Sequence, residues 1–317
     1  MTLHLGILQT DSVLEDLQPR FGDYPSMFEQ LFRDQDPTVT VTTYDAQRAL
    51  PEILACDAYL ITGCKLSVYD DLPWIRDLAD FVGRAIAGKR KILGICFGHQ
   101  LIAHFFGGHV APASVGWAVG VQTSDLVKTP RWMKVAGKPP EQLHLVSSHK
   151  DQVERLPRGA EVFARSDFCP VSGFTLGDEV LTIQGHPELS TDYSEALMGV
   201  RRELLGEAVY QTGMDSLQQQ TDEKLFTQWM LAFLRDSSVV PQPSASRPRY
   251  TAANSGGSST PPSWAQQQAD AAHHKLTSAA SEFADRMGLA GAGAKLLSGV
   301  VSGPAETAVV QPFQVVK

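Results

Sequence analysis

The sequence predicts an α/β fold: an open, mostly parallel sheet with helices on both faces, followed by a low-complexity C-terminal tail. Three observations predict it. Over the first hundred residues, apolar runs and amphipathic segments follow the order strand, helix, strand, strand, helix, strand. Two of those strands run out into glycine-bearing loops, as happens at the carboxyl edge of a parallel sheet, where ligands sit. At Ser237 the texture changes to proline, glycine and serine.

Taken in order, Leu3-His4-Leu5-Gly6-Ile7-Leu8 reads as the first strand. Tyr24 to Arg33 reads as a helix, with Met27, Phe28, Leu31 and Phe32 at helical spacing. Thr38 to Tyr44 is β-branched and alternating, which suits a second strand. Asp57-Ala58-Tyr59-Leu60-Ile61-Thr62-Gly63 is a third, ending in a glycine loop. Pro73 to Ala87 is a helix with Ile75, Leu78, Phe81, Val82 and Ile86 on one face. Lys91 to Ile95 is a short buried strand, and Leu101 to Phe106 an amphipathic helix. Residues 116–184 are richer in strand: Trp117–Val121, Leu143–Val146, Glu161–Ala164 and Val180–Gln184. Helices over Ser190–Leu205 and Thr221–Arg235 close a single domain, residues 1–236.

Beyond it, 237–262 reads as a disordered linker that cannot bury a core. The tail, 263–317, offers one helix over 263–287, with Ala272, Leu276, Ala279, Phe283 and Met287 on a narrow stripe. Alone that stripe is marginal, so a mostly disordered tail is the expectation. The adjacent His273 and His274 would point to different helix faces and make a poor metal pair.

Composition excludes several classes. The 317 residues carry a net charge of −8, which disfavours nucleic acid as a partner. Residues 237–317 hold six basic and four acidic side chains, so the first 236 residues carry −10. Cys56, Cys64, Cys96 and Cys169 are scattered, with no C-x-x-C pair, which argues against a disulfide framework or zinc ribbon and for reduced cytoplasm. The N-terminus has no basic n-region, and no run approaches the ~18 apolar residues of a membrane span. No metal ion and no cofactor is expected.

Chemistry concentrates at Lys91-Ile92-Leu93-Gly94-Ile95-Cys96-Phe97-Gly98-His99-Gln100-Leu101. A strand that breaks sharply into a helix presents its turn residue at the sheet edge, and Gly94 and Gly98 leave room for the turn. The helix N-terminus would favour a thiolate and offer free N–H groups to an oxyanion. A buried structural cysteine is the commoner fate, but flanking glycines and the polar His99-Gln100 pair argue against it. An activated cysteine needs a base and the base an orienter. His186-Pro187-Glu188, at another strand end, supplies both. His4, His104, His109 and His144 lack such company and read as structural.

These motifs resemble those of the class I glutamine amidotransferases. Gly94–Gln100 resembles the family's nucleophile elbow, and Gln184-Gly185-His186-Pro187-Glu188 its histidine–glutamate pair. Ile61-Thr62-Gly63-Cys64 is similar to its oxyanion loop, and Ser147-Ser148-His149-Lys150-Asp151-Gln152-Val153 to its Ser-His-Gly-Asp-x-Val segment. The resemblance covers roughly residues 45–190 and is nearest to the stand-alone, GMP-synthase-like group, which includes enzymes resembling plant γ-glutamyl peptidases. It implies a flavodoxin-like fold and attack by Cys96 on the γ-carboxamide of a glutamine-like substrate, with His186 moving protons and Glu188 orienting it. The N–H groups of Phe97 and of the Gly63–Cys64 turn would hold the oxyanion. Gln100, Ser148 and His149 would grip the substrate's α-groups. The γ-glutamyl thioester is then hydrolysed.

Two departures stand out. The family's Gly-Gly-Pro loop is Gly63-Cys64-Lys65 here, with Cys64 read as an inert small residue. The 81 residues after Asp236 have the wrong composition for an ATP-binding synthetase domain, so ammonia would pass to an acceptor enzyme in trans or to none. The implied partner is a small γ-glutamyl molecule: glutamine, or a glutathione-type conjugate for a γ-glutamyl peptidase. A reading of another class is a non-catalytic module that docks through its tail. A dienelactone-hydrolase-like elbow fits poorly, since those triads run nucleophile, carboxylate, histidine.

Overall fold

The computed structural model describes residues 2–51 and 54–236; the expectations for the linker and tail lie outside the described residues. The strands are β1 (Leu3–Gln9), β2 (Val39–Asp45), β3 (Ala58–Ile61), β4 (Lys91–Ile95), β5 (His109–Pro112), β6 (Ala118–Leu126), β7 (Gln142–His149), β8 (Asp151–Arg155), β9 (Ala160–Arg165), β10 (Gly173–Leu176) and β11 (Val180–Ile183). Nine form one sheet in the order β2-β1-β3-β4-β11-β10-β9-β6-β7, and β5 pairs with β8 apart from it.

The first five strands in that order pair parallel. The remaining pairings, β11-β10, β10-β9, β9-β6 and β6-β7, are antiparallel. The sheet is therefore mixed: its parallel half carries the expected strands, and β10, which the sequence did not mark, joins that half to the antiparallel strands.

The helices are α1 (Gln18–Phe21), α2 (Tyr24–Gln35), α3 (Pro73–Ala87), α4 (Phe97–Phe105), α5 (Thr191–Val200), α6 (Arg202–Leu205), α7 (Glu207–Ser216) and α8 (Glu223–Arg235). Because side chains alternate along a strand, the parallel half feeds two cores. Ile7, Leu60, Leu93 and Leu181 pack with Phe28 and Phe32 of α2 and Trp229 and Met230 of α8. Leu8, Ile61, Ile92 and Val180 pack with Ile75, Leu78 and Phe81 of α3 and Leu101 and Ile102 of α4. Burial on both faces explains why these strands are near-continuous apolar runs. Each buried Leu or Ile contributes about 1.5–3 kcal/mol of transfer free energy.

Two helical expectations change. The helix after Cys96 starts at Phe97 and is buried through Ala103, so it is a core helix rather than an amphipathic one. The helix expected over Ser190–Leu205 breaks at Arg201, which caps α5 and precedes α6.

Candidate active site

Three neighbouring parallel strands deliver three groups to one edge. In register, Ile61 of β3 lies beside Gly94 of β4, and Ile95 of β4 beside Ile183 of β11. The residues that follow, Gly63, Cys96 and Gln184 to His186, therefore meet at the carboxyl edge.

Cys96 turns the chain from β4 into α4 with φ +49°, in the left-handed region. A non-glycine residue there costs on the order of 1–3 kcal/mol, supplied by the surrounding packing. The Cys96 N–H is tied to Ile183 O (2.9 Å), and its carbonyl accepts from the Gln100 N–H (3.0 Å). The turn needs both glycines. A Cβ on Gly94 would lie 2.8 Å from the Gly98 backbone, and one on Gly98 2.7 Å from Ile61 Cβ. Phe97 is the first residue of α4, so its N–H lacks an intrahelical acceptor. The positive end of the helix dipole lies behind the sulfur.

His186 is fixed at its backbone by Val146 O (2.7 Å) and at its ring by Glu188, whose Oε1 lies 2.7 Å from Nδ1. The Cys96 side chain lines the same cleft and adds to the field on the ring. The His186 side chain is 6% exposed and that of Glu188 0%. Burial opposes charge on the ring, but the Glu188 carboxylate and the Cys96 sulfur outweigh it and raise His186 to about 10. Both neighbours thus favour the protonated ring.

Gly63 closes the other side. A Cβ there would sit 2.8 Å from His186 Cε1. Its carbonyl accepts the Thr10 hydroxyl (2.9 Å). In a trans peptide the next N–H, that of Cys64, points the opposite way. The Cys64 sulfur approaches Thr10 O (3.3 Å), and burial pushes its thiol up to about 12.

The three residues expected to grip substrate are placed differently from one another. Gln100 is 4% exposed, and its Nε2 donates to Asp151 O (2.7 Å) and Gln184 Oε1 (3.1 Å). His149 Nδ1 meets Asp151 O (3.1 Å); burial and the nearby His186 hold the ring down at about 4, hence neutral. Ser148 Oγ accepts from Arg201 Nη1 (3.1 Å). All three line the same open cleft as Cys96, Gly63 and His186.

Sequence reasoning quoted Gln184 but gave it no role. Its amide lies between Gln100 and the sulfur. Because Asp151 O can only accept, Gln100 must present Nε2 there. Gln184 then presents Oε1 to Gln100 and Nε2 to Cys96 Sγ, at 3.5 Å. Its place at the end of the strand that leads into His186 was the available signal. Arg201 was missed altogether, since mid-helix it carries no signal. His144 pairs with Asp222 (3.0 Å), His109 with Glu154 (3.7 Å), and His4 with the Thr42 hydroxyl (2.8 Å). Among the described residues, no group of three or more His, Cys, Asp and Glu side chains is placed to hold a metal ion, and no helix is long and apolar enough to cross a membrane.

Comparison with known proteins adds to this geometry. The family model for glutamine amidotransferase class-I matches residues 23–198. A glutamine amidotransferase-like protein of Schizosaccharomyces pombe is 29% identical over 216 residues, covering 64% of this chain and 86% of the relative. Gamma-glutamyl peptidase 3 of Arabidopsis thaliana is 33% identical over 141 residues, 43% of this chain and 56% of that protein. A solved glutamine amidotransferase from Thermotoga maritima superposes with a TM-score of 0.61 at 16% identity, over 74% of this chain and 100% of that one. The chain belongs to the class-I glutamine amidotransferase family.

Proposed function

We propose that the chain hydrolyses the γ-carboxamide of glutamine or of a γ-glutamyl compound, through a γ-glutamyl thioester on Cys96. The observation that carries this reading is the convergence on one cleft of a strained strand-to-helix turn at Cys96 and a His186 ring paired with buried Glu188. The thiolate attacks the γ-carbonyl carbon, and the carbonyl electron pair moves to oxygen. That oxyanion lies against the N–H groups of Phe97 and Cys64. His186, as imidazolium, gives its proton to the departing amine as the C–N bond breaks. The neutral ring then takes a proton from water, which attacks the thioester and releases glutamate and the thiolate. Glu188 holds the ring's tautomer and orientation throughout. The Gln184 amide, aimed at the sulfur, favours the thiolate.

A γ-glutamyl peptidase activity is the second reading. The cleft is open to solvent, which leaves room for a leaving group larger than ammonia, and several relatives bear that name. If glutamine is the substrate, ammonia passes to an acceptor enzyme in trans or to none. Four free cysteines suit the cytoplasm as the site of action. A non-catalytic binding module would show no enhanced reactivity at Cys96.

The test is glutamate release from glutamine, glutathione and other γ-glutamyl amides by the full chain. Turnover of at least one is expected, with a loss of about 10⁴-fold or more in Cys96→Ala. Equal release by the variant would end the reading.

A further inference from the structure

The Gly63-Cys64-Lys65 loop beside the sulfur contains no proline, so no ring fixes its backbone. Its conformation has to come from partners, and they come from one place: Thr10 and Asp11, where the chain leaves β1. Thr10 and Thr62 are both 0% exposed. The Thr62 hydroxyl oxygen accepts the Thr10 N–H (3.0 Å) and lies 3.0 Å from the Thr10 hydroxyl, which lies 2.9 Å from Gly63 O. A hydroxyl has one proton to give. Along the shortest of these distances, Thr62 gives its proton to Thr10, and Thr10 gives its own to the Gly63 carbonyl.

The next two residues of the loop are tied to the same segment. The Cys64 thiol donates to Thr10 O (3.3 Å), which Gln47 Nε2 also reaches (2.7 Å). Asp11 accepts the Lys65 N–H on Oδ2 and the Lys65 ammonium on Oδ1, both at 3.0 Å. The carboxylate side chain is 11% exposed and that of the lysine 61%, so water screens the ammonium contact more than the backbone bond. A proline at position 65 could not make that backbone bond.

Together these bonds decide where one N–H points. With the Gly63 carbonyl drawn into the buried threonine pair, the trans peptide turns the Cys64 N–H the other way, toward the cleft that Cys64 lines. Among the described residues that N–H has no acceptor. The loop also lies against the reacting groups: a Cβ on Gly63 would sit 2.8 Å from His186 Cε1 and 3.7 Å from Cys96 Cβ.

We propose that Thr10 and Asp11 are positioning residues, which hold the Cys64 N–H toward the oxyanion formed at Cys96. This deepens the hydrolase reading and rests on it. Both act through the backbone of residues 63–65. A donor fixed before the reaction begins stabilises the oxyanion without having to reorganise.

The test compares turnover of glutamine and γ-glutamylglycine by the full chain and by Thr10→Val, Thr10→Ser, Asp11→Ala and Asp11→Asn. Thr10→Val should lose about 10²-fold in kcat with KM within about twofold, as for a lost oxyanion donor. Thr10→Ser keeps the hydroxyl and should regain most of that loss. Asp11→Ala should lose about tenfold, and Asp11→Asn, which still offers an acceptor to the Lys65 N–H, less. Iodoacetamide serves as the control. It alkylates Cys96 by displacement at a saturated carbon and forms no oxyanion, so its rate in the variants should match the wild type. Unchanged kcat in Thr10→Val or in Asp11→Ala, or alkylation slowed as much as kcat, overturns the proposal.

Failure of the hydrolase reading shows separately, as no wild-type turnover of any amide, and the loop is then observed directly. Gly63-Cys64 is the only Gly-Cys step in the sequence. Glycine labelled with carbon-13 at its carbonyl and cysteine labelled with nitrogen-15 therefore give one carbonyl-linked amide signal by NMR. That signal should shift and broaden in Thr10→Val and keep its wild-type position in Thr10→Ser. Identical signals in the wild type and Thr10→Val overturn the proposal whatever the reaction.

Discussion

The parallel and antiparallel halves of the sheet contribute to the cleft by different means. In the parallel half, the backbone does the placing. Strands β3, β4 and β11 end side by side, and glycines at 63, 94 and 98 let main chain and imidazole approach to distances that a Cβ would block. In the antiparallel half, β7 runs past the same edge and offers side chains: Ser148, His149 and, through Ser148, Arg201. The difference teaches that reacting groups sit where geometry is stiffest, and substrate-facing groups where side chains can vary. Variants of the parallel half should therefore depress kcat, and variants of the antiparallel wall should raise KM.

The largest effect on that contrast is expected from Glu188→Gln. It keeps the shape but lets the ring choose the wrong tautomer, at a cost of about 10²–10⁴-fold in kcat. A drop confined to KM would break the contrast. The same variant reports on stability. His186 is raised from 6.5 to about 10, so its contribution is full below pH 6.5 and lost as pH climbs through 10. The wild type's advantage in Tm over Glu188→Gln should shrink steadily from pH 7 to pH 10.

Next is Gly63→Ala. The added Cβ would lie 2.8 Å from His186 Cε1, so the ring must move away from the sulfur. A displacement approaching 1 Å costs about 10²-fold in kcat. A variant with full kcat would show that the Gly63 contact is not part of the positioning.

Gln184→Leu sharpens the account of the thiolate. It removes a donor 3.5 Å from Sγ and leaves the Glu188–His186 pair in place. Alkylation of Cys96 at neutral pH should slow by about tenfold, as one lost hydrogen bond to the sulfur would give. Gln184→Asn, with a shorter reach, should fall between. The smallest effect belongs to Lys150→Ala: a rise of about two- to threefold in KM at low salt, vanishing at high salt, because an exposed charge is screened.

The same division decides what the sequence reveals. Helix α3 reads over Pro73–Ala87 with the bounds it has, because a proline at its first position, an i, i+3, i+4 stripe and Gly88 all agree. The elbow reads because a strained turn demands glycine at fixed offsets, and Gly94 and Gly98 leave that mark. β10 does not read: Gly173-Phe174-Thr175-Leu176 lacks the continuous apolar run of the equally short β3, and its partners are set by tertiary pairing. α7 is lost for a related reason, since its apolar contacts, Val209, Tyr210 and Met214, are only partly buried. Arg201 is illegible because nothing local marks where a helix will break over a cleft. The Gln100–Gln184 line to the sulfur depends on residues 84 apart meeting side by side. Motif order hints at such a meeting, but only the register supplies it.

The central claim is that Cys96 carries the acyl group, and a quench experiment tests it most directly. The full chain is mixed with a γ-glutamyl substrate, stopped in acid within one turnover and digested for mass spectrometry. The account predicts one γ-glutamyl adduct, on the peptide containing Cys96, discharged by hydroxylamine and absent in Cys96→Ala. Continued glutamate release by Cys96→Ala, or an adduct on any other residue, would contradict it.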